Sequence, residues 1–150
     1  MQKFRVEIER NCYESYHSGE EFGDWSESFS NEFKGITIDD SIEYPDVVSP
    51  LKFKAGDTVY VVWVEYSYGD SFGHASCAGT EVVAVFEDRD SAYELKNAIQ
   101  NQNLSSKDWD TKYQLDLTTS DGQHFKFSTI SWHDYFGGLD EVYVEETILE

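Results

Sequence analysis

Apolar and polar positions alternate from the start of the chain. Phe4, Val6 and Ile8 interleave with Arg5, Glu7 and Glu9, which predicts a strand with one face on a core and one in water. The run Val59 to Tyr66 is apolar on both faces apart from Glu65, the pattern of a central strand, and Val82 to Phe86 reads the same way. Between them, Ser67 to His74 is rich in turn residues, so the two runs predict an antiparallel hairpin. Asp88 can cap a helix reaching about Gln102, because Ala92, Leu95 and Ile99 recur at spacings of three and four. Further on, Tyr113 to Thr118 and His124 to Ile130 flank the hairpin signal Ser120-Asp-Gly122, and Val142, Val144 and Ile148 alternate with more polar neighbours. Pro45 and Pro50 bracket a segment that reads as a connection rather than a strand. The elements add up to an α+β fold, an antiparallel sheet built from hairpins with a single packed helix. One domain is expected over 1–150, with an N-terminal hairpin at 4–38 and a core sheet over 57–149 that includes the helix 89–102.

An internal repeat bears on the first hairpin. Tyr16-His-Ser-Gly-Glu-Glu-Phe-Gly23 and Tyr66-Ser-Tyr-Gly-Asp-Ser-Phe-Gly73 share Tyr, Gly, Phe and Gly at an offset of 50 residues, and Glu20 corresponds to Asp70. The first hairpin therefore reads as an apparent duplication of the second, with glycines that admit positive φ at the bends and a Phe that folds back under each loop. Trp25, Phe29 and Phe33 step by four, as a helix face would, but the serine-rich surroundings and the repeat favour a strand.

Composition then narrows the function classes. The 150 residues carry 30 Asp and Glu against 11 Lys and Arg, a net charge of -19, yet 10 Phe, 10 Tyr and 4 Trp supply the apolar surface of a folded chain. Such an excess of carboxylates argues against binding phosphates or anionic lipid, and makes a basic protein the electrostatic complement. Neither a membrane-spanning apolar run nor a signal-peptide core is present, so the cytoplasm is the expected compartment. Cys12 and Cys77 are too few for a disulfide framework and are expected to be reduced.

Three constellations invite chemistry. Gly69-Asp70-Ser71 with Asp121 and His124 resembles parts of a serine hydrolase, but no helix follows Ser71 to offer an oxyanion hole and the repeat replaces Ser71 by Glu21. Cys12, His17, His74 and Cys77 are a donor set that zinc would accept, but their spacing follows no zinc-finger pattern and their positions do not correspond within the repeat. No catalytic residue, metal or cofactor is therefore assigned. The third is acidic: Glu20, Glu21, Asp24 and Glu27; Asp39, Asp40, Glu43 and Asp46; Asp140, Glu141, Glu145 and Glu146. These clusters read either as a solvated face or as phosphate mimicry, in which strand residues two apart, such as Glu7 and Glu9, stand about 6.8 Å apart and match alternate phosphates of one DNA strand.

The turn Tyr66 to Gly73 and the segment Trp132-His-Asp-Tyr-Phe-Gly-Gly-Leu139 resemble small acidic proteins encoded by bacteriophages, over about residues 57 to 149. The resemblance assigns no activity and carries over no functional residue. It implies a phage setting, in which small acidic proteins block host nucleases and other defence systems. The expected function is thus a non-enzymatic inhibitor occupying the basic groove of a nucleic-acid-binding defence protein in the host cytoplasm. Its expected partner-binding residues are Glu20, Glu21, Asp24, Trp25 and Glu27, then Asp39, Asp40, Asp70 and Phe72, and finally Trp132, Tyr135, Asp140 and Glu141. The carboxylates would steer association and the aromatic rings would set residence time. Two alternatives stand beside it: an acidic regulatory module without mimicry, and a protein that sequesters a small ligand or metal.

Overall fold

The computed structural model describes residues 1–17, 24–69, 75–101, 114–128 and 138–150, with side chains placed at 1–10, 30–65, 79–101, 116–125 and 141–150. Within these, β1 (Gln2–His17) and β2 (Asp24–Ile38) form a long antiparallel hairpin, and β3 (Val47–Ser49) adds a short strand on the other side of β1. β4 (Thr58–Gly69) and β5 (Ala75–Phe86) form the second hairpin, followed by α1 (Arg89–Asn101). β6 (Gln114–Thr118) and β7 (His124–Ser128) pair with each other, and β8 (Gly138–Ile148) returns to pair antiparallel with β4. Strand orders are β2-β1-β3, β5-β4-β8 and β6-β7. The architecture is α+β, with antiparallel sheets and one helix among the described residues.

β4 lies in the middle of its sheet because its sequence is apolar on both faces. Val62 and Val64 point with Ala84, Phe86 and Val142 toward Ala92, Leu95 and Ile99 of the helix. Val59 and Val61 point the other way, with Val85 and Leu149, onto Phe4, Ile36, Val47 and Phe53 of the first sheet and its loop. Each of these large side chains is worth about 1.5–3 kcal/mol when fully buried. The domain is therefore layered helix, sheet, sheet, and β4 is the strand on which both cores are built.

α1 starts where Asp88 stops the strand. The Asp88 carboxylate accepts hydrogen bonds from the amide of Ser91 at 3.2 Å and from its hydroxyl at 2.9 Å, satisfying an end-of-helix donor. The β6–β7 turn is tied to the same end: Ser91 Oγ accepts from the Asp121 amide at 3.2 Å, and Glu94 accepts from the amide and hydroxyl of Ser120. Gly122 sits in that turn at a φ of 87°, which a residue with a Cβ rarely adopts. Replacing Asp88 by alanine is expected to cost about 1 kcal/mol, read as a lower urea midpoint.

Two readings of the sequence need correction. The segment between Pro45 and Pro50 is not only a connection: Val47, Val48 and Ser49 pair with Phe4, Lys3 and Gln2. Both prolines fall outside the pairing, and Val47 is buried in the core that the first sheet shares with β4 and β5, which makes three residues enough for an edge strand. Ile148, expected on an apolar face, is 63% exposed, whereas Leu149 is buried. Ile148 pairs with Thr58 at the end of the sheet. Leu149 enters the space between the sheets, held by the Gly56 amide on its carbonyl at 2.8 Å and by its own amide on the Asp57 carbonyl at 2.9 Å.

The two hairpins share an organisation, since each places its first strand in the middle of a sheet with an antiparallel third strand outside it. Their ladders are not superimposable on the offset of 50, however. Tyr16 faces Trp25, whereas Tyr66 faces Gly79 rather than Ala75, the position that the offset would pair with it.

Candidate acidic interaction surface

The outward face of the first hairpin is set by alternation. Phe4 is buried and Val6 and Ile8 are half-buried toward the core, so Arg5, Glu7 and Glu9 are exposed on the other side. A bulge opposite Glu7 and Ile8 leaves Lys34 unpaired in the ladder while Glu9 and Glu32 stand directly opposite each other. Two carboxylates so placed repel, and Lys34 offsets this by bridging both at 3.1 Å. The hydrogen bonds to Glu32 and Glu9 hold its ammonium above the ordinary lysine range.

The loop 39–46 continues this surface. Its Asp39 accepts the hydroxyl and, at 3.0 Å, the amide of Ser41, and pairs with Arg5 at 3.0 Å. Those Ser41 bonds, with Arg5 as a smaller contribution, hold the Asp39 carboxyl below the ordinary aspartate range. Lys3 Nζ donates to the Ile42 carbonyl at 3.3 Å, and Asp46 Oδ2 accepts from the Val6 amide at 3.2 Å. Pinned at these points, the loop exposes Asp40, Glu43 and Tyr44, the last at 86%. An exposed ring among carboxylates suits a lysine or arginine, which gains both a cation–π contact and an ion pair.

Asp39 also gives the fold a pH dependence of definite sign. Its folded value lies below its unfolded one, so the stabilisation is present above the unfolded value and is lost as pH falls through the folded value. The urea midpoint of the unmodified protein is expected to exceed that of Asp39→Asn at neutral pH, with the gap closing on acidification.

Among the residues expected from sequence to bind a partner, the structure brings Asp39 and Asp40 together in this loop. Glu141 is exposed on β8, opposite Glu65 of β4 in a different sheet. Asp24, Trp25 and Glu27 are ladder positions of β2, and Asp140 falls on β8 at the register shift between the pairs Glu65–Glu141 and Tyr66–Leu139. Glu20, Glu21, Asp70, Phe72, Trp132 and Tyr135 lie outside the described residues. Tyr44 was not anticipated, although its place between Glu43 and Pro45-Asp46 is a signal for an exposed ring, since a core would exclude those neighbours.

His124 contacts Thr118 Oγ1 at 3.1 Å and Asp116 at 3.3 Å, while Asp121 accepts from Thr119 and Gln123 within its turn. Both partners are thus engaged locally, and Ser71 lies outside the described residues. Cys12 and Cys77 occupy strands of different sheets, opposite Phe29 and Tyr68, and His74 is outside the described residues. No cluster of three or more His, Cys, Asp or Glu side chains suited to a metal occurs among the described residues. An open depression of about 330 Å³ is lined by Met1, Gln2, Asp40, Pro50, Lys52 and Phe53. No helix among the described residues is long and apolar enough to cross a membrane.

Of the 20 Asp and Glu side chains described, 13 are exposed and none is buried. Compared with protein-family models, curated proteins and solved structures, the chain matches none.

Proposed function

We propose that this protein is an acidic inhibitor that occupies the basic groove of a nucleic-acid-binding protein, presenting carboxylates where phosphates would lie. The observation that carries the reading is the net charge of -19, with 13 of the 20 described carboxylates exposed and none buried. Glu7 and Glu9 stand on one outward strand face, about 6.8 Å apart as successive same-side residues do, which is two phosphate steps of a DNA strand. Arg5, Lys34 and Lys3, cations on that face, are engaged with Asp39, with Glu9 and Glu32, and with the Ile42 carbonyl, so the surface offers negative potential to a partner. The resemblance of residues 57 to 149 to small acidic phage proteins supports a host defence nuclease as the partner and the host cytoplasm as the place of action. On this reading the protein acts by occupancy, without a catalytic step or cofactor.

The test is capture from bacterial lysate on the tagged protein, eluted with rising salt and identified by mass spectrometry. A basic nuclease or nucleic-acid-binding complex that elutes late, and loses DNA or RNA binding when the protein is added, is the expected result. Salt-insensitive capture of a partner without a basic groove would replace mimicry by a regulatory binding module.

A further inference from the structure

β1 pairs with β2 from Phe4 to His17 but with β3 only at Gln2, Lys3 and Phe4. The reason lies in the next residues of the register. Continued past Val47, the pairing would set Asp46 opposite Arg5 and Pro45 opposite Val6, and proline has no amide hydrogen to give the ladder. The Val6 amide turns instead to the Asp46 carboxylate at 3.2 Å. That bond also fixes the phase of the edge. Lys3 directs its carbonyl to the β2 side, where it accepts the Asp39 amide at 3.0 Å, so the even residues Val6 and Ile8 direct their backbone groups away from β2. Among the described residues no strand covers this edge beyond Phe4.

We infer that this edge is a strand-acceptor site for an extended basic segment of a partner protein, entering where β3 stops. The inference rests on the acidic-inhibitor reading and specifies how the partner is gripped. An added strand takes hydrogen bonds from the backbone of Val6 and Ile8, displacing the Asp46 carboxylate from the Val6 amide. Its side chains alternate, so one set lies beside exposed Glu7 and Glu9 and the other beside half-buried Val6 and Ile8. Lysine or arginine alternating with a β-branched residue satisfies both faces. A second copy of the same edge does not, because pairing through these positions brings glutamates against glutamates.

The probe is a ten-residue peptide of alternating lysine and valine, with an alternating glutamate and valine peptide as control, added to the full chain and followed by amide hydrogen exchange. The lysine peptide is expected to slow exchange at Ile8 by about tenfold or more while leaving Arg5 and Glu7, already in the β2 ladder, unchanged. The double substitution Glu7→Gln and Glu9→Gln should weaken the peptide by roughly threefold to tenfold, the worth of one exposed ion pair at Glu7 and of one at Glu9 that is shared with Lys34. Binding of the lysine peptide with no change at Ile8 overturns strand addition but leaves an acidic surface that attracts cations. Absence of binding overturns the strand site as well, and salt-dependent capture of a basic partner would then still uphold the inhibitor reading.

Discussion

Replacing Trp63 by alanine is expected to destabilise the fold by about 3–5 kcal/mol, the range for removing a buried large aromatic. Trp63 is 2% exposed, and its ring stacks on Tyr143 of the neighbouring strand with centroids 4.3 Å apart and planes 22° apart. Its Nε1 donates to Glu145 at 3.4 Å. Trp63 and Tyr143 are directly paired in the ladder, so the stack bolts β8 to β4. Truncation removes the packing and leaves a cavity between two strands. For a domain of this size the loss lowers the melting temperature by on the order of 10 °C. Trp63→Phe, which keeps a ring over Tyr143 and loses the weak bond to Glu145, should cost markedly less. Equal losses in the two variants, by urea titration followed by circular dichroism, would show that the stack contributes little.

The second large effect concerns binding. Neutralising Glu7, Asp40 and Glu43 together, as Gln, Asn and Gln, is expected to slow association with the captured basic partner about tenfold and to flatten its salt dependence, with little change in dissociation. All three carboxylates are exposed and belong to the surface formed by β1 and the loop 39–46. The matched control is Glu87→Gln, Asp90→Asn and Asp116→Asn, three exposed acids near the helix and the β6–β7 hairpin. Both sets change the net charge by the same amount, so equal slowing would mean that overall charge, rather than this surface, steers the encounter. Tyr44→Ala is the complement. An exposed ring that becomes an anchor should act on dissociation, raising it by about tenfold or more, because contacts formed after the encounter govern residence.

Much of the fold was legible because each element carries its own period. Val59 to Tyr66 announces a central strand since only Glu65 interrupts its faces, and the structure buries Val62 and Val64 in one core and Val59 and Val61 in another. The helix follows from Asp88, Ala92, Leu95 and Ile99 through capping and a single apolar stripe, both local properties. The third strand between the prolines was not legible, since three residues have no measurable period and their pairing depends on Phe4 being present as a neighbour. Ile148 and Leu149 exchange roles for a similar reason: alternation predicts which residues share a face, but not where the covering layer ends.

The candidate surface divides in the same way. Acidity, the scarcity of cations and the alternation that exposes Glu7 and Glu9 are properties of the chain alone, because charge is additive and strand faces follow from backbone geometry. Which carboxylates assemble is a tertiary matter. Asp39, Asp40, Glu43 and Asp46 adjoin the first strand only because Arg5, Lys3 and the Val6 amide hold their loop there, through contacts between residues 34 to 40 apart in sequence. The sequence by itself determined the secondary elements other than β3, the acidic character and the strand that both cores share. Only the tertiary structure decided the splitting into two facing sheets, the pairing of β3 with β1 and the acidic loop beside the edge of β1, because each depends on distant groups competing for the same hydrogen bonds and apolar surface.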